Sequence, residues 1–140
     1  MTFRQSTLPG IVLAMLVTAM LVACGDPKYQ PPAIMLAFSQ GFIPPASLNT
    51  GAYAGIAATV TNDPKNGGVG FSCTPNTPFG ACGTFSPTSA GSGIPVCYLA
   101  PDSVPNGNTV TVTATSASDP TKSISATITI VNTGVPNPCP

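Results

Sequence analysis

The 140-residue chain contains no histidine, no tryptophan and no glutamate, and only 6% of its residues are charged. These absences remove whole classes of chemistry. Acid–base catalysis needs a group that titrates near the working pH, most often His, Glu or Asp. Nucleophilic catalysis by Ser or Cys needs an adjacent base. Composition therefore excludes Ser–His–Asp triads, zinc sites of the usual ligand set and glutamate-dependent hydrolysis. The remaining acids are Asp26, Asp63, Asp102 and Asp119, and the cations are Arg4, Lys28, Lys65 and Lys122. Three scattered lysines beyond the N-terminal segment form no patch that could neutralise a run of phosphates, so nucleic acid is excluded as a partner. No enzyme, metal or cofactor is expected.

Low charge does not mean disorder here. Disordered chains combine few apolar residues with high net charge, whereas this chain is 43% apolar with a formal net charge of zero. Thr, Ser, Asn and Gly stand where charges usually do, giving a neutral polar surface that suits an extracellular β-protein. No stretch after Cys24 sustains a helical period.

The first residues are different in kind. Arg4 is followed by an apolar and small-residue run over residues 11–23, ending in Leu21-Val22-Ala23-Cys24. A charged start, an apolar middle and small residues before a cut form a secretory signal peptide. Thirteen residues fall short of the ~20 that a spanning helix needs. The Leu-x-Ala-Cys ending resembles the lipobox of bacterial lipoproteins. That resemblance implies cleavage before Cys24, lipidation of its thiol and acylation of its new amino group. Multiple acyl chains anchor a protein stably. Gly25, and not Asp, follows the cysteine, which by the same resemblance directs the protein to the outer membrane. The plainer alternative is a disulfide-forming Cys24 after an ordinary signal peptide.

Residues 1–23 are thus read as signal peptide and 24–32 as acylated cysteine plus tether, since the segment GDPKYQPP is too proline-rich for regular structure. Residues 33–134 form one domain and 135–140 a tail. Residues 34–38 read as the first strand, placed at a sheet edge by Pro44-Pro45 downstream. Period-two alternation then marks strands. Residues 55–61 put Ile56, Ala58 and Val60 on one face, and residues 69–73 put Val69, Phe71 and Cys73 on one face. Residues 96–100 offer Val96, Tyr98 and Ala100. Residues 109–115 turn Val110, Val112 and Ala114 inward and Thr outward. Residues 123–130 repeat the pattern with Ile124, Ala126, Ile128 and Ile130. Turn clusters separate them at 49–51, 62–64, 66–68, 105–107 and 119–120. About seven such strands predict an all-β antiparallel sandwich.

Several features in order resemble a bacterial immunoglobulin-like domain of the group 2 type. They are Thr61-Asn62-Asp63-Pro64, Cys82-Gly83-Thr84-Phe85, Tyr98 to Pro101, Val110-Thr111-Val112-Thr113-Ala114-Thr115-Ser116, and Asp119-Pro120-Thr121-Lys122-Ser123. One departure is Phe71, where such repeats commonly carry Trp. The other is that the chain holds a single repeat. With Cys24 assigned to lipid, Cys73, Cys82, Cys97 and Cys139 remain for a disulfide framework. The resemblance implies a Cys73–Cys82 bond, which leaves Cys97 with Cys139; a Cys73–Cys97 pairing is the rival.

Asp26, Asp63 and Asp119 each precede a proline and read as turn residues. On that reading Asn should replace Asp63 or Asp102 at little cost. The sharper alternatives are a calcium site from Asn62, Asp63 and Asp102, and a sugar-stacking platform from Tyr53, Phe79 and Tyr98. The expectation is a non-catalytic outer-membrane lipoprotein with an immunoglobulin-like domain. It would be held by its lipid anchor and serve as a structural or adhesion module contacting envelope proteins or surface polysaccharide. The alternative is a small carbohydrate-binding lipoprotein.

Overall fold

The computed structural model describes Lys28, residues 30–78 and residues 80–132. Cys24, Asp26, Phe79 and Cys139 lie outside the described residues, so the lipidation and tail assignments rest on sequence. The chain divides into two units, Met1–Pro31 and Pro32–Pro140. All described strands belong to the second.

That unit is all β, with no helix among the described residues. Its strands are β1 (Met35–Phe38), β2 (Ser47–Asn49), β3 (Tyr53–Ile56), β4 (Ala58–Thr61), β5 (Val69–Pro75), β6 (Thr84–Ser86), β7 (Ser89–Ala90), β8 (Val96–Leu99), β9 (Thr109–Ser116) and β10 (Ser123–Val131). A five-stranded sheet runs β2-β10-β9-β5-β7, a three-stranded sheet runs β3-β8-β6, and β1 pairs with β4. Inward residues from all three pack into one core, an arrangement consistent with a β-sandwich.

The alternation read from the sequence governs the long strands. On β9, Val110, Val112 and Ala114 are buried, and on β10 so are Ile128 and Ile130. Phe71 of β5 lies 5.6 Å from Phe85 of β6, and Phe85 lies 4.9 Å from Tyr98 of β8, measured between ring centroids. These three aromatics link the inner faces of the two larger sheets. Burying one such large side chain contributes roughly 1.5–3 kcal/mol, and the buried Ile and Val residues around the cluster complete the core.

Three expectations need correction. Residues 55–61 are not one strand. Ala57 donates its N–H to the Phe42 carbonyl (3.0 Å) and accepts from Ser39 N–H (2.9 Å). The 39–42 loop thereby takes the hydrogen bonds that strand pairing would have used, and the chain passes from β8 to β1 as its partner. Ile56, Ala57 and Ala58 are consequently all buried, and alternation fails across the step. Second, the pairing is not wholly antiparallel, because β2 runs parallel to β10. Third, the strand count exceeds seven: β2, β6 and β7 have two or three residues each, too short for a periodic signal.

The expected turns are where polar and Gly residues placed them. Asn62, Asn66 and Asn108 adopt positive φ of 59°, 48° and 57°, a region that Asn enters more readily than most residues.

Candidate functional site

Cys73 leaves β5 on its half-buried side, and Cys82 sits just ahead of β6. The two are disulfide-bonded with Cα atoms 5.8 Å apart, as the family resemblance implied, and the bond staples the five-stranded sheet to the three-stranded one. Tyr98 underlies it. Its side chain is fully buried and its hydroxyl donates to the Cys82 carbonyl at 2.6 Å, so the core aromatic with a polar atom satisfies that atom at the staple. Burial pushes the Tyr98 phenol up to about 12. Cys97 is also disulfide-bonded, and Cys73 is not its partner. The rival Cys73–Cys97 pairing is therefore overturned.

The calcium alternative fails on geometry. Both Asp63 oxygens are already engaged: Lys65 N–H donates to Oδ1 (3.0 Å), while Gly67 N–H and the Ser118 hydroxyl donate to Oδ2 (both 2.9 Å). Partial burial raises this carboxyl, but the hydrogen bonds from Ser118, Gly67, Lys65 and Asn66 outweigh it and hold the pKa below its ordinary 3.8. Ser118 follows β9 at the end where β10 begins. Asp102 lies at the other end, where Gly51 N–H bonds the Pro101 carbonyl and Thr50 N–H bonds that of Val131. The nine residues of β10 separate those ends, roughly 25 Å at ~3.3 Å per residue. Asp63 and Asp102 cannot share a cation. Asp119 behaves as a turn residue: the Thr121 hydroxyl (2.7 Å) and N–H (3.1 Å) both donate to its Oδ1, and its pKa is lowered in consequence.

The aromatic platform is also overturned. Tyr53 pairs with Leu99 and Ala54 with Tyr98, so Tyr53 and Tyr98 point to opposite faces of their sheet. Tyr98 offers no surface to a sugar.

Two further surface features stand out among the described residues. A shallow open cleft of about 400 Å³ is lined chiefly by Asn66, Gly67, Gly68, Ser89, Ala117 and Pro120. Much of its polar lining is already occupied, since Gly67 N–H serves Asp63 and the Gly68 carbonyl accepts from Ala117 N–H. The second feature is the outer face of the five-stranded sheet. Registers align Ser72 with Thr113 and Ser125, and Thr74 with Thr111 and Thr127. Flanking rows join Thr115 to Ser123 and Thr109 to Thr129 and Ser47. Every strand of this sheet lacks charged residues. The outward threonines of β9 were visible as alternation, but the rows across strands depend on register, which no single strand encodes. Asn76 extends the array at one end, donating to Thr109 Oγ1 and accepting from the Thr111 hydroxyl at 3.2 Å.

No family model, curated protein or solved structure matches the chain.

Proposed function

We propose that this protein is a non-catalytic lipoprotein of the cell envelope, anchored through Cys24 in the outer membrane and presenting one immunoglobulin-like domain as an interaction module. The observation that carries the reading is the Leu21-Val22-Ala23-Cys24 ending of the signal segment, followed by a short proline-rich tether and an all-β domain stapled by a disulfide. Disulfides persist in oxidising compartments outside the cytoplasm, which agrees with export.

Strand order supports the immunoglobulin-like assignment. The fold places strands A, B, E and D on one sheet and C, F and G on the other. With β3 and β4 taken as one interrupted strand B, the neighbours β1, β4/β3, β8 and β6 read A-B-E-D. The run β5-β9-β10 reads C-F-G. Phe71, on the strand equivalent to C, fills the aromatic position against Phe85. Fold alone does not define function. The non-catalytic part of the proposal rests instead on composition and on two carboxylates, Asp63 and Asp119, engaged in turn hydrogen bonds.

The anchor is tested with a clickable fatty acid fed to cells making the wild type or Cys24→Ser. The wild type should carry label and migrate as the processed form. The variant should be unlabelled and accumulate as precursor. Equal labelling of both would end the lipoprotein reading.

A further inference from the structure

We propose that the outer face of the five-stranded sheet is a docking surface for a neutral polysaccharide. The inference rests on the envelope-module reading and gives that module a face and a class of partner. Its first support is charge. With no ionisable side chain on any strand of the sheet, the face has nothing to attract phosphate, an acidic glycan or anionic lipid, whose recognition requires cations. It matches a partner that is itself uncharged and rich in hydroxyls.

The second support is the arrangement of donors and acceptors. Ser72, Thr113 and Ser125 form one row and Thr74, Thr111 and Thr127 the next. Neighbouring strands lie ~4.8 Å apart and successive outward residues ~6.6 Å apart along a strand, so hydroxyls recur on a two-dimensional grid. A hydroxyl supplies one donor and two acceptor sites. Thr113 and Ser125 are hydrogen-bonded to each other at 2.8 Å, and Thr111 donates to Asn76 at 3.2 Å. These bonds hold the side chains in place while leaving each oxygen further capacity. Less freedom is then lost on binding. The threonine methyl groups between them offer apolar contact to the faces of sugar rings. Ser72, Thr74, Ser125 and Thr127 are exposed, and Thr111 and Thr113 half-exposed.

Among the described residues, Tyr98 is buried and Tyr53 stands on the other sheet, so neither adds an aromatic to this face. The hydroxyl rows of this face, in register across β5, β9 and β10, are regular enough to follow a repeating chain.

The full chain, purified in detergent, is assayed for retention on microcrystalline cellulose, chitin and an insoluble neutral β-glucan. Polygalacturonate and anionic phospholipid vesicles provide charged alternatives. The expected result is retention on at least one neutral polymer that does not fall between low and high salt. The triple variant Thr111→Val, Thr113→Val, Thr127→Val keeps shape and β-preference and should weaken retention about tenfold or more by removing three hydrogen-bonding groups. Thr113→Lys, which places a charge at the centre of the grid, should weaken it as well. Both variants should melt near the wild type, and Tyr53→Ala should bind normally. The proposal is overturned by retention on no neutral polymer, or only on polygalacturonate or vesicles with loss in salt. It is equally overturned by binding that survives both threonine variants or disappears with Tyr53→Ala. Lipid labelling of Cys24 is read separately, so failure here leaves the anchor reading standing or falling on its own result.

Discussion

Single residues in this domain are constrained by backbone space more than by side-chain chemistry. Gly83 has φ of +81° and Gly41 has +84°, so both occupy the left-handed region that favours glycine. Their surroundings differ. A Cβ at Gly41 would meet nothing within 4 Å, whereas one at Gly83 would drive into the Leu99 carbonyl oxygen and lie 2.8 Å from the Tyr98 hydroxyl. Gly41→Ala should therefore cost about 1 kcal/mol, the conformational strain alone. Gly83→Ala should cost more, roughly 2–4 kcal/mol, because strand backbone must move with it. Thermal melts of the two variants compare these effects at nearly equal φ, and equal losses would show that crowding at Gly83 is unimportant. Asp63 is constrained differently. Seen only as a turn residue it is replaceable by Asn, but its Oδ2 accepts from both Gly67 N–H and Ser118. An amide has one oxygen, so Asp63→Asn sets an NH₂ against one group of donors. The variant should melt below the wild type, while Asp102→Asn, which carries no such network, should melt with it.

At the scale of elements, legibility followed strand length. β9 and β10, with eight and nine residues, declared themselves by alternation, because a half-buried strand must place every second side chain in the core. Residues 55–61 alternate equally well in sequence, yet the chain changes sheets at Ala57. The cause is the distant loop at 39–42, which takes up the Ala57 hydrogen bonds, so no local pattern could reveal it. The candidate sites divided the same way. The turn roles of Asp63 and Asp119 follow from their neighbours, but the Ser118 bond to Asp63 spans 55 positions and needs the fold. The Cys73–Cys82 bond, by contrast, came from a family likeness and lands where β5 and β6 approach. Closing so short a loop contributes ~2–3 kcal/mol on the chain-entropy estimate, and removing a native bond from a small exported domain typically costs ~2–5 kcal/mol. The paired variant Cys73→Ala, Cys82→Ala should fall within that range in urea unfolding. The single variant Cys82→Ala should leave a reactive thiol at Cys73, detectable by alkylation and mass spectrometry. An unchanged midpoint in the double variant would show that the packed core holds the sheets together without the disulfide.

For the molecule as a whole, stability should be nearly flat across neutral pH and fall at both extremes, for reasons that begin in composition. With no His and no Glu, the chain lacks the side chains that most often titrate between acid and neutral pH. Folding then exchanges few protons over that interval, and stability has little slope. The acid limb comes from Asp63 and Asp119, whose folded pKa values lie below their ordinary 3.8. Each contributes stability fully present above that value, and it is lost as pH falls and the unfolded chain takes up protons first. The alkaline limb comes from Tyr98, raised from 10.0 to about 12 by burial. Above pH 10 the unfolded phenol ionises while the folded one stays protonated, so the unfolded state gains. Over that interval the loss is on the order of 2 kcal/mol, at about 1.4 kcal/mol per pH unit. Tyr98→Phe removes the titration together with the hydrogen bond to Cys82, so its stability should start lower at pH 8 and decline less between pH 10 and 12. Urea unfolding at fixed pH steps from 3 to 12 measures both limbs. A steep slope between pH 5 and 8, or an equal alkaline decline in Tyr98→Phe and wild type, would show that groups other than these three set the pH response.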